Sequence, residues 1–255
     1  MSTAILITAR LKSNRLPRKV LKPILGRPMI CHMIDRLKLA QRPEKIILCT
    51  SPLPEDDPLV EIARQEAIDC FRGHPDDVLL RLTEAAGQFN VDTVINCTAD
   101  NPFVDHEYID RLVDFHQSNG YDYSRCEGLP LGAFGWALSY PAMVRACEIK
   151  DAIDTEVWGG YFTDTGLFSW GLLPVDPEVY WPELRLTVDT PEDFALVTKI
   201  FEELYVPGEV FSLQSIINLC RARPDLVAIN SAIKQKPAKP IRVKNEAEHP
   251  QPVPT

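Results

Sequence analysis

A dense group of basic side chains lies near the start of the chain, between Arg10 and Arg27. This stretch holds seven Lys and Arg residues, and the first acidic residue of the chain, Asp35, comes only after it. The whole chain has the opposite balance, because 36 acidic residues outnumber 27 basic ones and give a net charge of −9. One cationic segment in an acidic protein predicts a binding site for an anionic ligand and argues against general binding to nucleic acid.

The segment from Arg10 to Lys19 contains no glycine. This excludes the dinucleotide fingerprint and the Walker loop, since both need glycine where the backbone approaches phosphate. Phosphate would instead be held by side chains, because arginine offers paired donors and lysine a compact charge. Scattered cations alone are more often a solvated surface loop, so the assignment depends on the order of the residues around them.

Two aspartates, Asp100 and Asp189, are candidate metal ligands. Asp100 follows a predicted strand over residues 91–97, and Asp189 lies near the end of another over residues 185–190. Carboxylates are oxygen ligands of the kind that Mg²⁺ takes in proteins. Each aspartate also has a simpler interpretation, because the residues after Asp100 favour a turn and those after Asp189 favour a helix start. On spacing alone, both interpretations stay open.

Strands and helices are predicted to alternate over residues 4–116, which argues for a mostly parallel sheet with helices on both faces. In such sheets ligands bind beyond the carboxyl ends of the strands, where the basic segment and both aspartates would meet. The predicted strands cover residues 4–9, 45–50, 68–71, 91–97, 166–175 and 185–190, and the main predicted helices begin at Pro28, Asp57, Asp76, His106, Tyr140, Pro191 and Ser212.

Composition limits the class of protein. The 255 residues suffice for one large α/β domain, and no stretch approaches the ~18 consecutive apolar residues of a membrane helix. Seven scattered cysteines without a CxxC pair exclude a disulfide framework and an ordinary zinc site, and they predict a cytoplasmic protein. We expect one domain over residues 1–230 and a disordered tail over 231–255, which is rich in Pro and Lys.

Four ordered blocks carry a pattern that spans residues 4–197. They are Ala9-Arg10-x-x-Ser13-x-Arg15-Leu16-Pro17-x-Lys19 with its continuation to Met29, Phe71-Arg72-Gly73 with Asp76-Asp77-Val78-Leu79, Thr98-Ala99-Asp100-Asn101-Pro102, and Arg185-Leu186-Thr187-Val188-Asp189-Thr190-Pro191-Glu192-Asp193. Together they resemble the cytidylyltransferases that activate sugar acids, and most closely the spore-coat-polysaccharide type. The first and last blocks are the specific ones.

The resemblance implies a single three-layer, Rossmann-like nucleotidyltransferase domain with a mixed, mostly parallel sheet. It implies transfer of CMP from CTP to an acidic sugar such as 3-deoxy-manno-octulosonate or a sialic acid, with Mg²⁺ as cofactor. It also implies a homodimer formed through residues 125–175. By the same resemblance, Arg10 and Lys19 are catalytic, the nucleotide is bound by Ala9, Arg10, Ser13, Arg15, Lys19, Arg72 and Asp77, and the metal by Asp100 and Asp189.

The chain departs from the family on the acceptor side. Residues 131–135 read Leu-Gly-Ala-Phe-Gly where the family commonly carries Arg-Gly-Asp, and residues 154–160 keep only Glu156 and Val157 of an Arg-Glu-His-Val-Thr run. Arg18 stands where the spore-coat type usually has glycine. The identity of the acceptor therefore stays open.

Several alternatives to CMP transfer onto a sugar acid remain. The enzyme could use another nucleoside triphosphate, or an acceptor that is a non-sugar acid or is phosphorylated. A related glycosyltransferase would typically carry an Asp-x-Asp metal motif, whereas Thr98-Ala99-Asp100 supplies one acid. A non-catalytic nucleotide-binding subunit would keep the basic loop and lose the metal site, against which Asp100 and Asp189 argue.

Overall fold

The computed structural model describes residues 1–13, 15–235 and 240–244. The strands are β1 (Thr3–Thr8), β2 (Pro23–Ile24), β3 (Arg27–Pro28), β4 (Lys45–Thr50), β5 (Asp69–Arg72), β6 (Thr93–Thr98), β7 (Tyr123–Glu127), β8 (Trp136–Ser139) and β9 (Trp170–Pro174). The α-helices are α1 (Met29–Leu37), α2 (Asp57–Gln65), α3 (Val78–Gln88), α4 (His106–Asn119), α5 (Tyr140–Ile149), α6 (Gly160–Thr163), α7 (Pro191–Leu204), α8 (Leu213–Ala222) and α9 (Pro224–Ala228).

A seven-stranded sheet in the order β5-β4-β1-β6-β8-β7-β9 forms the middle layer. Its neighbouring strands run parallel except at β8, which is antiparallel to both β6 and β7. The predicted fold, a single α/β domain with a mixed and mostly parallel sheet, is therefore confirmed. Within the described ranges, none of the helices has the length and apolar character needed to cross a membrane.

Each face of the sheet is covered by its own layer of helices. Successive side chains of a strand point to opposite faces, so the continuous apolar run of β1 serves two cores. Ile5 and Ile7 pack on the face covered by α1, α4 and α7, and Ala4 and Leu6 pack on the face covered by α3 and α5. Because both faces are buried, the strand ends and their loops are the places left for a ligand.

The predicted strand over residues 185–190 is wrong, and the reason bears on the site. The segment forms one isolated bridge, between Leu131 and Arg185, and packs on the loop that follows β7. Leu186 N donates to Leu131 O at 2.8 Å, and Val188 N donates to Asp100 O at 2.8 Å. Gly132 allows this close approach, because a Cβ there would lie 2.5 Å from the backbone nitrogen of Thr187. The segment is thereby fastened to the loop that carries Asp100.

Part of the predicted tail is described and contacts the domain. Val243 forms a bridge with Lys150 at the end of α5, and Lys244 N donates to Ile149 O at 2.8 Å. Ile241 packs against the core on that side. Residues 236–239 and 245–255 lie outside the described residues, and the domain boundary at residue 230 stays a prediction.

Candidate active site

Lys19 joins the two predicted metal ligands at the carboxyl end of the sheet. Its Nζ donates to Asp100 Oδ2 and to Asp189 Oδ1, each at 2.8 Å. Arg15 adds a second ion pair to Asp189, with Nη2 at 3.0 Å from Oδ1. Asp100 follows β6 directly, whereas Asp189 reaches the same place because its segment is fastened to the Asp100 loop. Four of the predicted site residues therefore meet.

The charges in this cluster stabilise one another. Burial by itself would lower the pKa of Lys19, but Asp100 and Asp189 outweigh it and raise that pKa above its usual value. Burial would likewise raise the pKa of Asp189, but the charge and hydrogen bond of Lys19, with Arg15 and Arg185, lower it. At neutral pH the Asp189 carboxylate is therefore ionised beside a protonated Lys19.

Neither aspartate caps a helix. The amino end of α7 is capped by Thr190, which forms a reciprocal capping box with Asp193. The amino end of α4 is capped by Asp105. The helix start proposed for Asp189 is thus formed by Thr190 and Asp193. Asp100 does lie in a turn, as the residues after it predict, and both carboxylates face cationic side chains.

Arg10 lies in a second cluster, which links the loop after β1 to the loop after β5. Its guanidinium donates to Pro75 O and, at 3.0 Å, to Asp76 Oδ1. Its Nε lies 3.4 Å from Oδ2 of Asp56, a fully buried carboxylate that also accepts from Leu11 N at 2.7 Å. Sequence reasoning missed Asp56, because nothing in its local pattern marks it as buried.

The remaining residues of the predicted phosphate loop support its backbone. Ala9 is buried and its N–H donates to Cys49 O at 3.2 Å. Ser13 Oγ accepts from Leu16 N at 3.4 Å. The loop therefore runs from the Arg10 cluster to the Lys19 cluster, and a triphosphate along it would meet cations at both ends.

Arg72 and Asp77 lie in scaffold contacts. Arg72 Nε donates to Ser51 O at 3.0 Å. Asp77 is buried, caps α3 by accepting from Leu80 N at 3.0 Å, and forms an ion pair with Lys150. These contacts place both residues in the framework of the site, and their assignment to the nucleotide stays a prediction.

Three aromatic rings, Phe134, Trp136 and Trp158, pack against one another in and beside the two segments where the sequence departs from the family, and we call them the aromatic wall; Trp158 is buried and the other two are half-buried. The ring centroids are 5.4 Å apart for Phe134 and Trp136 and 6.1 Å apart for Trp136 and Trp158. Trp136 is half-buried on β8, opposite Asn96 of β6, the strand that leads to Asp100. The aromatic wall is thus joined through Trp136 to the strand that leads to Asp100.

The donor set of Asp100 and Asp189 fits a hard divalent cation. Both carboxylates already bind the same cationic group, the Lys19 ammonium, and hard cations such as Mg²⁺ take oxygen ligands. Among the described residues no group of three or more His, Cys, Asp and Glu side chains converges. The protein would therefore supply two carboxylates and leave the other positions to water and phosphate oxygens, as Mg²⁺ commonly requires.

Comparisons with known proteins agree with this architecture. The sequence profile of the family described as cytidylyltransferase matches residues 4–156. The chain is 27% identical over 227 residues to the spore coat polysaccharide biosynthesis protein SpsF of Bacillus subtilis, covering 86% of this chain and 94% of SpsF. It is 28% identical over 166 residues to 3-deoxy-manno-octulosonate cytidylyltransferase of Chlorobium chlorochromatii, covering 64% and 63%. A solved cytidylyltransferase structure from Leptospira borgpetersenii shares the fold, with a TM-score of 0.83, 24% identity and coverage of 92% and 100%.

Proposed function

Because this chain belongs to the cytidylyltransferase family, we propose that it transfers CMP from CTP to an acidic sugar and releases pyrophosphate. In this reaction an acceptor oxygen bonds to the α-phosphorus while the bond to the leaving pyrophosphate breaks. Nucleotidyl transfer depends on positioning and on neutralising the charge that develops on the phosphate oxygens. The observation that carries the proposal is the cluster of Lys19, Asp100 and Asp189 at the carboxyl end of the sheet.

Each residue of the cluster has a defined part in the proposed reaction. Asp100 and Asp189 would hold Mg²⁺, which when bound supplies positive charge to the triphosphate oxygens. Lys19 and Arg15, which pair with the carboxylates in the free protein, would move to the phosphates once the carboxylates hold the metal. Arg10 would contact the triphosphate from the other end of the loop. Lys19 would follow the α-phosphate, because it lies nearest the two carboxylates.

Two observations support an acidic sugar as the acceptor: the name of a related enzyme and the position of one arginine. The related Chlorobium enzyme is named for 3-deoxy-manno-octulosonate, which carries a carboxylate. In this chain Arg125, exposed on β7, is the register partner of Trp136, so a cation stands beside the aromatic wall. We propose that Arg125 binds the acceptor carboxylate and that the wall contacts the sugar ring. The name of SpsF supports a product used in surface polysaccharide synthesis.

We also propose that the protein is a cytoplasmic homodimer. The segment implied as the interface, residues 125–175, carries the exposed apolar side chains Ile153, Val157, Leu167 and Trp170. It also contains β9, which forms the edge of the sheet. Sedimentation velocity tests this: Trp170→Glu should convert a dimer to a monomer, and a wild-type monomer would contradict the proposal.

Pyrophosphate release with a panel of substrates tests the proposed reaction. The panel combines CTP, UTP, ATP and GTP with sugar acids, matching neutral sugars and sugar phosphates, in the presence of Mg²⁺. We expect release from CTP with a sugar acid. Release only with a neutral or phosphorylated acceptor would overturn the acceptor assignment. CTP binding without release from any acceptor would identify a nucleotide-binding subunit.

A further inference from the structure

The backbone around Asp189 is fixed by a buried carboxylate four residues later in the chain. Asp193 is fully buried and accepts from Asp189 N at 2.9 Å and from Thr190 N at 3.0 Å. Arg185 donates to both of its oxygens, from Nε at 2.8 Å and from Nη2 at 3.0 Å. Burial alone would raise the pKa of Asp193, but these hydrogen bonds lower it, so the carboxylate stays ionised.

Arg185 also gives the two oxygens of Asp189 different partners. Its Nη2 donates to Asp189 Oδ2 at 2.9 Å, whereas Oδ1 is the atom that binds Lys19 at 2.8 Å. A carboxylate held in this way cannot rotate freely, and one defined oxygen faces the cation. This arrangement is that of a metal ligand oriented by a hydrogen-bonded partner, which tunes affinity in protein metal sites.

Asn230, which follows α9, closes the network from the opposite side. Its side chain is buried, and Nδ2 donates to Asp193 Oδ1 at 2.9 Å and to the Arg185 carbonyl at 3.1 Å. Nearby, Gln235 Oε1 accepts from Arg185 Nη1 at 2.5 Å. A segment at the end of the domain, outside all four sequence blocks, therefore contacts the two residues that orient Asp189.

We propose that Asn230 is a positioning residue, which acts through Asp193 and Arg185 to keep Asp189 Oδ1 directed at the cation site. The proposal rests on the proposed role of Asp189 as a metal ligand. Without the Asn230 amide, Asp193 loses a donor and Arg185 is held less firmly, so the Asp189 carboxylate gains freedom. Removing a group that orients a metal ligand typically weakens metal affinity ~10-fold or more.

Binding of Mn²⁺ alone to the full chain, followed by electron paramagnetic resonance, tests the proposal. We expect Asn230→Ala to bind Mn²⁺ ~10-fold more weakly than the wild type. Asn218→Ala is the matched control, because Asn218 is exposed on α8, where its amide oxygen accepts from Gln214 Nε2 at 2.9 Å. Turnover of Asn230→Ala should return to the wild-type value at high Mn²⁺. A purely structural loss would not be rescued by metal.

The variant Asp189→Asn distinguishes the metal-binding role of Asp189 from the positioning role of Asn230. If Asp189→Asn loses Mn²⁺ binding and folded Asn230→Ala binds as the wild type does, the positioning proposal is overturned and the metal role stands. If Asp189→Asn binds Mn²⁺ normally, the metal role itself is overturned. Should Asn230→Ala fail to fold by circular dichroism, the exposed Gln235 gives the test. Weaker Mn²⁺ binding by Gln235→Ala supports the network, and wild-type binding overturns it.

Discussion

The two sides of the proposed site are built from different chemistry. The nucleotide side, formed by Lys19, Asp100 and Asp189, consists of charged groups that hold one another at hydrogen-bond distances. The acceptor side that we propose consists of the aromatic wall and the exposed Arg125 beside Trp136. Charge-assisted contacts need particular groups in a fixed geometry, whereas an aromatic surface accepts ligands of many shapes. For this reason the type of reaction can be inferred more closely than the identity of the acceptor.

The largest expected effect is the loss of a carboxylate on the nucleotide side. Asp100→Asn and Asp189→Asn each keep the shape of the side chain and remove the charge that a hard cation requires. Turnover measured by pyrophosphate release should fall roughly 10³-fold in each variant. The double variant should be little worse than either single one, because both act through one transition state.

Asp114→Asn is the matched control for these variants, since Asp114 is an exposed carboxylate paired with Arg42 on the surface. It should keep wild-type turnover. A normal rate in Asp189→Asn at limiting Mg²⁺ would reduce Asp189 to a structural residue and remove the metal from the nucleotide side.

Loss of a cation on the nucleotide side comes next. Lys19→Ala and Arg10→Ala should each lower turnover at least ~10²-fold, because each removes a charge-assisted contact to phosphate. Arg10→Ala also leaves the buried Asp56 without its ion pair, so its rate must be corrected for the folded fraction.

Arg18→Gly is the matched control for the basic loop. Arg18 has a φ of 52°, in the left-handed region that glycine adopts readily, so the change fits the backbone. We expect a nearly silent effect on turnover. Equal losses at positions 10, 18 and 19 would show that the loop acts as a diffuse patch of charge rather than through defined contacts.

A smaller effect is expected on the acceptor side. Arg125→Ala should raise KM for the acid acceptor about tenfold, because it removes one charge-assisted contact, while KM for CTP stays unchanged. Arg42→Ala, another exposed arginine, is the control. Steady-state kinetics with each substrate varied in turn checks this. An increase in KM for CTP instead would place Arg125 on the nucleotide side.

The smallest effect concerns the end of the chain. Composition predicts that removing residues 231–255 is silent, but the contacts of residues 240–244 with α5 and the core predict a loss. Deleting residues 240–255 should lower Tm by about 2–4 °C for each kcal/mol of contacts removed. Deleting 245–255 keeps every contact described and is the control. Equal Tm values for both deletions and the full chain would show that these contacts contribute nothing.

Local sequence patterns predict a strand or helix well where a single run of apolar residues corresponds to a single element. The strand over 45–50 agrees with the structure at both ends, and the helix predicted to begin at Tyr140 begins there. The strand predicted over residues 185–190 is wrong because the apolar residues of this segment pack on a loop. The spacing of apolar residues along the chain does not distinguish packing on a loop from packing in a sheet. The fold then makes distant residues neighbours. Lys19 and Asp100 follow the parallel strands β1 and β6, which end at one edge of the sheet, and Asp189 joins them because its segment is fastened to the Asp100 loop.

The parts of the site that sequence did not predict depend on long-range partners. Arg10 is predicted to bind the nucleotide together with Lys19, yet its ion-pair partners Asp56 and Asp76 follow other strands. Asp77 is predicted to bind the nucleotide, and only folding shows that it also pairs with Lys150 at the end of α5. Asn230 carries no pattern at all, since only folding brings it to Asp193.

Calorimetric titration of CTP, with and without Mg²⁺, tests whether Asp100 and Asp189 join metal and triphosphate on the nucleotide side. The wild type should bind CTP more tightly with Mg²⁺ than without it. The Asp100→Asn, Asp189→Asn double variant should bind CTP equally with and without Mg²⁺. Its metal-free binding should match or exceed that of the wild type, because Lys19 and Arg15 are released from the carboxylates. A double variant that keeps the full Mg²⁺ enhancement of the wild type would show that these two carboxylates do not hold the metal.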